Sequence, residues 1–341
     1  MTRVFIVDDS AFVRRALTRV LATEPGFRIV GEAASGTEAL AKIHMADPDF
    51  VTLDVAMPGM GGLELLPALL RWKPSLRVVM LSAHTQEGAA ATVAALGAGA
   101  LDVIDKTTFN VMDLEFLRRE IVERLRALAP RMTSPGPAVT GAEEQVPTST
   151  ARGELRRCEL CVIGASTGGP SAVQRILQDL PARLPFPVIV VQHMPEGFTG
   201  PFAQRLNSIA RVSVAEAVEG QRLVPGHVYV ARAGQHLRVS PSLSVSLSTA
   251  PSDARHIPSI DVTMRSAARS KPGRVLGVLL TGMGEDGADG MGIIRASGGI
   301  TIAESESSCV VYGMPRAAIR RGAATWVLAL AEIADLLSGL E

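Results

Sequence analysis

The sequence predicts two α/β domains in tandem: a five-stranded parallel sheet, then a second doubly wound sheet that carries an antiparallel hairpin insertion. Three features lead to that expectation. Strand-like apolar runs alternate five times with helical repeats over residues 1–128. The texture then breaks into a stretch rich in Pro, Ser, Thr and Gly, and alternation resumes at Leu160. A chain of 341 residues is long enough for each domain to bury its own core.

In the first half, VFIV, FRIVG, FVTLD, RVVML and ALDVI read as strands. Between and after them lie helical spacings such as Phe12, Ala16 and Val20, then Leu114, Leu117, Ile121, Leu125 and Leu128. Strands this apolar need both faces covered, which is the condition of a parallel sheet between helices. Residues 129–155, including PRMTSPGPAVTGAEEQVPTSTARG, show no periodicity and read as a flexible linker. In the second domain, 156–341, the strands begin with CVIG and FPVIVVQ and end with RVLGVLLT and GITIA. Residues 211–249 read as short hairpins turning at Gly220, Pro225–Gly226 and Gly234–Gln235. No internal repeat of 20–50 residues is evident.

Composition narrows the function. Lys plus Arg and Asp plus Glu are equal at 34 each, with no dense basic block, so phosphate-neutralising nucleic-acid binding is not expected. No apolar run approaches a membrane span, and the start MTRVFIV reads as a strand rather than a secretion signal, so a cytoplasmic protein without membrane insertion is expected. Cys158 and Cys161 form a CxxC with no second pair to complete a zinc site. They read as small side chains entering a strand, with a regulatory dithiol as the alternative. Cys309 has no activating neighbour in sequence.

Asp8 and Asp9 end the first strand, Asp54 ends the third, Ser82 follows the fourth and Lys106 the fifth. In a sheet of order 2-1-3-4-5, the first and third strands flank the switch point where ligands bind. Three carboxylates there repel one another unless a hard divalent cation such as Mg²⁺ sits among them. Asp54 could then attack a phosphoryl donor, with Lys106 and Ser82 on the phosphoryl oxygens. DDS, LDVAMPGMGGLELL, LSA and DK, in this order, resemble the response-regulator receiver family over residues 1 to about 125. The resemblance implies a flavodoxin-like fold, Asp54 as phosphoacceptor, Asp8, Asp9 and the Ala56 carbonyl on the metal side, and Ser82 and Lys106 as the switch hydroxyl and lysine. Three positions depart from the family: Gly61 where Asp is usual, Thr107 where Pro is usual, and Val103 where an aromatic switch residue is common.

In the second domain, Gly164-Ala165-Ser166-Thr167-Gly168 satisfies G-x-S-x-G between a strand and a helical stretch. That turn exposes a serine hydroxyl beside helix N–H groups able to bind an oxyanion. Of six histidines, His193 alone follows a fully apolar strand, placing it at the same sheet edge as Ser166. His256, in ARHIPSID, is the second candidate base, while His44, His84, His227 and His236 lie in helix, turn or hairpin contexts. Asp286 lies just beyond a third apolar strand, completing the order Ser, His, Asp. A rival reading uses the same stretch: Gly282, Gly284 and Gly287 fit G-x-G-x-x-G, with Glu304 as a ribose-binding acid. The motif nonetheless stands near the end of the chain rather than at a first strand.

GASTGGP, QHMPEGFTGPFAQRLN, HIPSIDVTMRSAA, LTGMGEDGADGM and VYGMPRAA resemble the chemotaxis protein-glutamate methylesterase family, CheB type, over residues 158 to about 337. ARAGQHL stands where APGGxHL is more usual. The resemblance implies that Ser166 is the nucleophile, His193 the general base and acid, and Asp286 the orienting acid. It also makes the Met283 N–H the oxyanion donor, with Thr167 lining the same pocket. The implied activity is hydrolysis of glutamate γ-methyl esters on methyl-accepting chemotaxis receptors, releasing methanol, together with deamidation of receptor glutamines. The implied phosphodonor is a chemotaxis histidine kinase, with Mg²⁺ serving the receiver and no cofactor the esterase.

Overall fold

In the computed structural model, which describes residues 1–83, 86–106, 114–129, 153–252 and 254–340, the chain divides into two units, Met1–Ser134 and Pro135–Glu341. His84, Thr107 and linker residues 130–152 lie outside the described residues.

Five parallel strands form the first sheet: β1 (Thr2–Val7), β2 (Phe27–Ala33), β3 (Phe50–Asp54), β4 (Arg77–Ser82) and β5 (Asp102–Asp105), in the order β2-β1-β3-β4-β5. Every residue of β3 is buried, as a strand covered on both faces requires. The helices are α1 (Ala11–Ala22), α2 (Gly36–Ala46), α3 (Gly62–Trp72), α4 (Gln86–Gly97) and α5 (Leu114–Leu128). Ser10 caps α1 by accepting from Val13 N–H. The buried stripe of α1 is Val13, Ala16, Leu17, Val20 and Leu21, whereas Phe12 is 46% exposed. The expected Phe12–Ala16–Val20 face is thus one residue out at its start. At about 100° per residue, Val13 takes the inward position and turns Phe12 toward solvent. Ile121, Leu125 and Leu128 of α5 are buried as their spacing predicts.

The second unit adds β6 (Leu160–Ala165), β7 (Val188–Gln192), β8 (Ser213–Glu216), β9 (His227–Val230), β10 (His236–Val239), β11 (Val245–Ser248), β12 (Val275–Leu279), β13 (Ile300–Glu304) and β14 (Trp326–Leu328). Seven of these make a parallel sheet of order β14-β13-β12-β6-β7-β9-β8, while β10 and β11 pair antiparallel as a separate hairpin. The antiparallel part is therefore narrower than the sequence suggests, since β8 and β9 extend the main sheet in parallel. The reason lies in β9, whose Val228, Tyr229 and Val230 are all buried, leaving no solvent face for a hairpin to present. The helices are α6 (Gly169–Asp179), α7 (Thr199–Ile209), α8 (Ile260–Ser270), α9 (Ala288–Ala296), α10 (Met314–Arg320) and α11 (Leu330–Ser338). Among the described residues, no helix is long and apolar enough to cross a membrane.

Every residue of the three central strands β6, β7 and β12 is buried. Each buried Val, Leu or Ile stabilises the fold by roughly 1.5–3 kcal/mol, so this is the rigid part of the sheet. The chain leaves β6 toward β7 on one side and later returns to β12 on the other, which makes the carboxyl end of β6 a topological switch point.

Candidate active site

Ser166 follows the last residue of β6 and sits on a turn that two glycines make possible. Gly168 has φ +78° and caps α6, a conformation that a side chain resists. A Cβ there would also meet Val310 at 2.6 Å. Ser166 N–H donates to the Thr281 carbonyl (3.0 Å), and Gly169 N–H donates to the Ser166 carbonyl (2.8 Å). The strand, the turn and the N-terminus of α6 together present the serine at the sheet edge, as the G-x-S-x-G spacing implies.

His193 follows β7, and its N–H donates to the Ala165 carbonyl (3.0 Å), so His193 and Ser166 leave neighbouring strands side by side. Gln192, buried at the end of β7, ties them further. Its amide donates to the carbonyls of Ser166 (2.8 Å) and His193 (3.0 Å). His193 Nε2 lies 2.9 Å from Asp286 Oδ2. An ionised carboxylate only accepts, so Nε2 carries the ring proton and Nδ1 keeps a free lone pair. Nδ1 is buried without a hydrogen-bond partner. The imidazole therefore turns its bare nitrogen away from the acid. No hydrogen bond joins Ser166 Oγ to His193 among the described residues.

Asp286 sits in the loop after β12, docked on the N-terminus of α8. Besides His193 it accepts from Ile260 N–H (2.7 Å) at Oδ2, and from Ser259 Oγ (2.9 Å) and Asp261 N–H (3.0 Å) at Oδ1. Burial alone would disfavour its charge. The hydrogen bond and charge of His193, then the Asp261 and Ile260 N–H groups, outweigh burial and hold its pKa well below the usual carboxylate range. The helix N-terminus acts in the same direction. Asp261 behaves oppositely: burial, with the charge of Asp286 beside it, lifts its carboxyl to about 6 despite a hydrogen bond from Gly290 N–H.

Met283 is half-buried in the loop between β12 and α9, and its N–H makes no hydrogen bond with the described residues. A Cβ on Gly282 would lie 2.7 Å from Ser166 Cβ and 2.7 Å from Met314 Sδ, so that glycine lets the loop close onto the serine. Gly287 is likewise filled by Leu279 and Ile260. Of the glycines in the rival dinucleotide pattern, Gly282 thus serves packing against the serine turn, Gly287 packing against Leu279 and Ile260, and Gly284 a left-handed turn at φ +85°. Glu304 is fully buried, accepting from Thr281 N–H (2.7 Å) and Ser308 Oγ (2.9 Å), which removes it from any ribose-binding role. Burial raises its pKa against those two bonds. Thr167 is buried, and its carbonyl accepts from Thr281 Oγ1 (2.9 Å).

The remaining histidines fall into distinct places. His256 stacks on His193, with ring centroids 4.2 Å apart and planes at 20°. His236 is fully buried and uses both ring nitrogens: Nδ1 accepts from Ser259 N–H (3.0 Å), and Nε2 donates to the Pro251 carbonyl (2.9 Å). His227 Nδ1 lies 3.2 Å from the Pro225 carbonyl oxygen, and His44 packs edge-on against Trp72. Sequence reasoning gave no role to Ser259, His236 or Gln192. The only hint was Ser259-Ile260-Asp261 itself, a helix-capping pattern within a motif noted for other reasons. Cys158 and Cys161 are buried and free, and burial pushes the Cys158 thiol up to about 11 and that of Cys161 higher than usual as well, which leaves both unreactive.

In the first unit, Asp8 and Asp54 are buried at the ends of β1 and β3, with exposed Asp9 beside them. One carboxylate oxygen from each lies within 4.8 Å of the others. Lys106 Nζ stands 2.8 Å from both Asp8 Oδ2 and Asp54 Oδ2. Burial raises the Asp54 carboxyl to about 6, and the Asp8 charge adds to this while Lys106 opposes it. Three carboxylates against one ammonium leave negative charge that a divalent cation would neutralise, and the donor set is the hard oxygen that Mg²⁺ takes. Ser82 Oγ lies 2.8 Å from Thr92 Oγ1 of α4. Ala56 is exposed and its N–H donates to Asp54 Oδ1 (3.3 Å). Val103 is buried in β5. Gly61 has an extended conformation, and a Cβ there would meet only the Val55 carbonyl oxygen at 3.4 Å, so the usual Asp would fit. Gly62 is different, because a Cβ would overlap the Asp54 carbonyl.

Residues 161–337 match the family model described as CheB methylesterase, and residues 4–115 match that of the response regulator receiver domain. A protein-glutamate methylesterase/protein-glutamine glutaminase of Lawsonia intracellularis is 41% identical over 352 residues, covering 98% of each chain. Another, of Archaeoglobus fulgidus, is 44% identical over 340 residues, covering 98% of this chain and 96% of its own. Among solved structures, the crystal structure of the Thermotoga maritima CheB methylesterase catalytic domain is 38% identical, with a TM-score of 0.52. It covers 54% of this chain and 99% of that one.

Proposed function

The chain belongs to the CheB methylesterase family, and from that premise we propose that it hydrolyses glutamate γ-methyl esters on chemotaxis receptors and deamidates receptor glutamines, under control of phosphorylation at Asp54. One observation carries the catalytic reading. Ser166, His193 and Asp286 follow three adjacent strands, with Asp286 on one edge of the imidazole and a buried, unpartnered Nδ1 on the other.

Ser166 Oγ attacks the ester carbonyl while its proton passes to His193 Nδ1. Asp286, held ionised by its own hydrogen bonds, stabilises the resulting imidazolium and fixes the tautomer that leaves Nδ1 basic. The Met283 N–H takes the developing oxyanion, and Thr167 lines the pocket. The intermediate collapses as the methoxy group leaves with the proton from Nδ1, giving methanol and a glutamyl ester of Ser166. Water then attacks that ester, passing its proton to Nδ1, and collapse returns Ser166 and the receptor glutamate. A glutamine substrate follows the same course with ammonia leaving.

Asp8, Asp9, Asp54 and the Ala56 carbonyl would hold Mg²⁺, which when bound offsets the negative charge of the carboxylates and an incoming phosphoryl group. Asp54 is the acceptor; Lys106 and Ser82 take the phosphoryl oxygens. A chemotaxis histidine kinase is the natural donor. In this reading residues 1–128 form the receiver, 129–155 the linker and 156–341 the esterase, and phosphorylation relieves inhibition of the esterase by the receiver.

The test is methanol release from methylated receptor membranes, with and without acetyl phosphate and Mg²⁺. Release that rises with the donor and vanishes in Ser166→Ala is the expected result. Release in Ser166→Ala would refute the nucleophile, and release indifferent to the donor would refute the phospho-control.

A further inference from the structure

One short segment, His256–Asp261, touches the base and the acid of the site from two directions. Ser259, Ile260 and Asp261 donate three hydrogen bonds to Asp286, while His256 lays its ring on that of His193. The segment is itself anchored. Gly234 N–H donates to the Ile257 carbonyl (3.2 Å), and Ser259 N–H donates to buried His236. An imidazole held along one edge by a single acceptor can still swing about that hydrogen bond. A second ring at 4.2 Å and 20° removes that freedom, because the faces must stay near parallel. The orientation matters because Nδ1 is buried and unpartnered, so the ring plane alone decides whether its lone pair meets Ser166 Oγ.

We propose that His256 is a positioning residue: its ring, stacked on His193, fixes the imidazole plane so that Nδ1 faces Ser166, and its π face covers the imidazolium formed during the reaction. The proposal rests on Ser166, His193 and Asp286 being the esterase triad. It assigns His256 a flat aromatic surface and no proton to carry. A phenyl ring should therefore serve, whereas a polar side chain without a ring should not.

The experiment uses the full chain with methylated receptor membranes and compares wild type with His256→Ala, His256→Asn and His256→Phe, reading kcat, KM and melting temperature. Ala and Asn are expected to lower kcat about 10- to 100-fold with KM within about twofold, the loss that a small misplacement of a reacting group produces. Phe should keep kcat within about threefold of wild type. Turnover by Ala and Asn at the wild-type rate would overturn the proposal. So would a Phe variant as slow as Ala, which would show that the ring nitrogens of His256 rather than its flat face carry the role. Should Ala fail to fold, the contrast between Phe and Asn gives the same decision. A folded wild type that releases no methanol would overturn the esterase reading itself, and the proposal with it.

Discussion

Replacing Asp286 by Asn separates two things the carboxylate does, and the geometry sets how far each fails. Both groups at Oδ2, His193 Nε2–H and Ile260 N–H, are donors, so the new amide must keep its oxygen there. The NH₂ then takes the Oδ1 place. Ser259 Oγ can turn to accept from it, but Asp261 N–H cannot. One buried backbone donor is left facing another, which costs about 1–3 kcal/mol, and the charge lost from the α8 N-terminus adds about 0.3–1 kcal/mol. The His193 tautomer survives, so catalysis falls mainly by the missing charge on the imidazolium. At about 4 Å and an effective dielectric near 20 that charge is worth about 4 kcal/mol, or roughly 10³ in kcat.

The assay is methanol release by full-length protein, with melting temperature as the check on folding. A kcat within about tenfold of wild type would refute Asp286 as the partner of the imidazolium. Acid titration gives a second reading. The folded pKa of Asp286 is depressed, so its stabilisation is fully present above the unfolded value near 3.9 and is lost as pH falls through the folded one. The stability gap between wild type and Asp286→Asn should therefore hold steady from pH 5 to 8 and narrow below about pH 4. A gap that instead widens in acid would show the sign to be wrong.

Three further outcomes can be measured. Gly282→Ala places a Cβ 2.7 Å from Ser166 Cβ and Met314 Sδ, and since the serine turn is tied to Thr281, kcat should fall about 10- to 100-fold in a protein that still melts cooperatively. Asp54→Asn should abolish the response to acetyl phosphate. It should also stabilise the receiver at pH 7 in chelator, because a carboxyl raised to about 6 costs stability as pH climbs from about 4 to 6; the gain is at most about 3 kcal/mol and should shrink when Mg²⁺ is added. Glu304→Gln should melt at or above wild type, the difference growing as pH rises through the raised carboxyl pKa. Glu304→Ala should lose about 1–3 kcal/mol by leaving Thr281 N–H buried without an acceptor, and equal melting of the two variants would refute the bond.

What could be read in advance follows from how locally each feature is encoded. Strand order in the first sheet, and the acidic residues at the ends of β1 and β3, depend on apolar runs and their terminal residues, which a single pass along the chain displays. That Ser166, His193 and Asp286 would stand at one edge of the second sheet could be read the same way, since Ser166 and His193 directly follow buried strands and Asp286 lies in the loop beyond a third. Phe12 was misplaced because a four-residue spacing does not distinguish two faces 100° apart when Val13 also fits. β8 and β9 were misread because four-residue strands with turn signals between them look alike whether their neighbour is sequential or lies across the sheet.

The supporting residues were illegible because their work is done through backbone groups and ring faces that sequence spacing does not describe. Asp286 is kept ionised by His193 and then by the N-terminus of α8, which is contributed by residues 25 to 27 positions earlier. That helix end is set in turn by His236, whose neighbours looked like a hairpin turn. His256 was considered as a rival to His193, yet the two rings lie face to face, and it is His193 that holds the carboxylate through Nε2. Competition for one role is what two histidines near a serine suggest when only their order is known. On the proposal made above, stacking gives them different roles, and it makes the six-residue span from His256 to Asp261 as much a part of the proposed catalytic machinery as the strand ends that announced it.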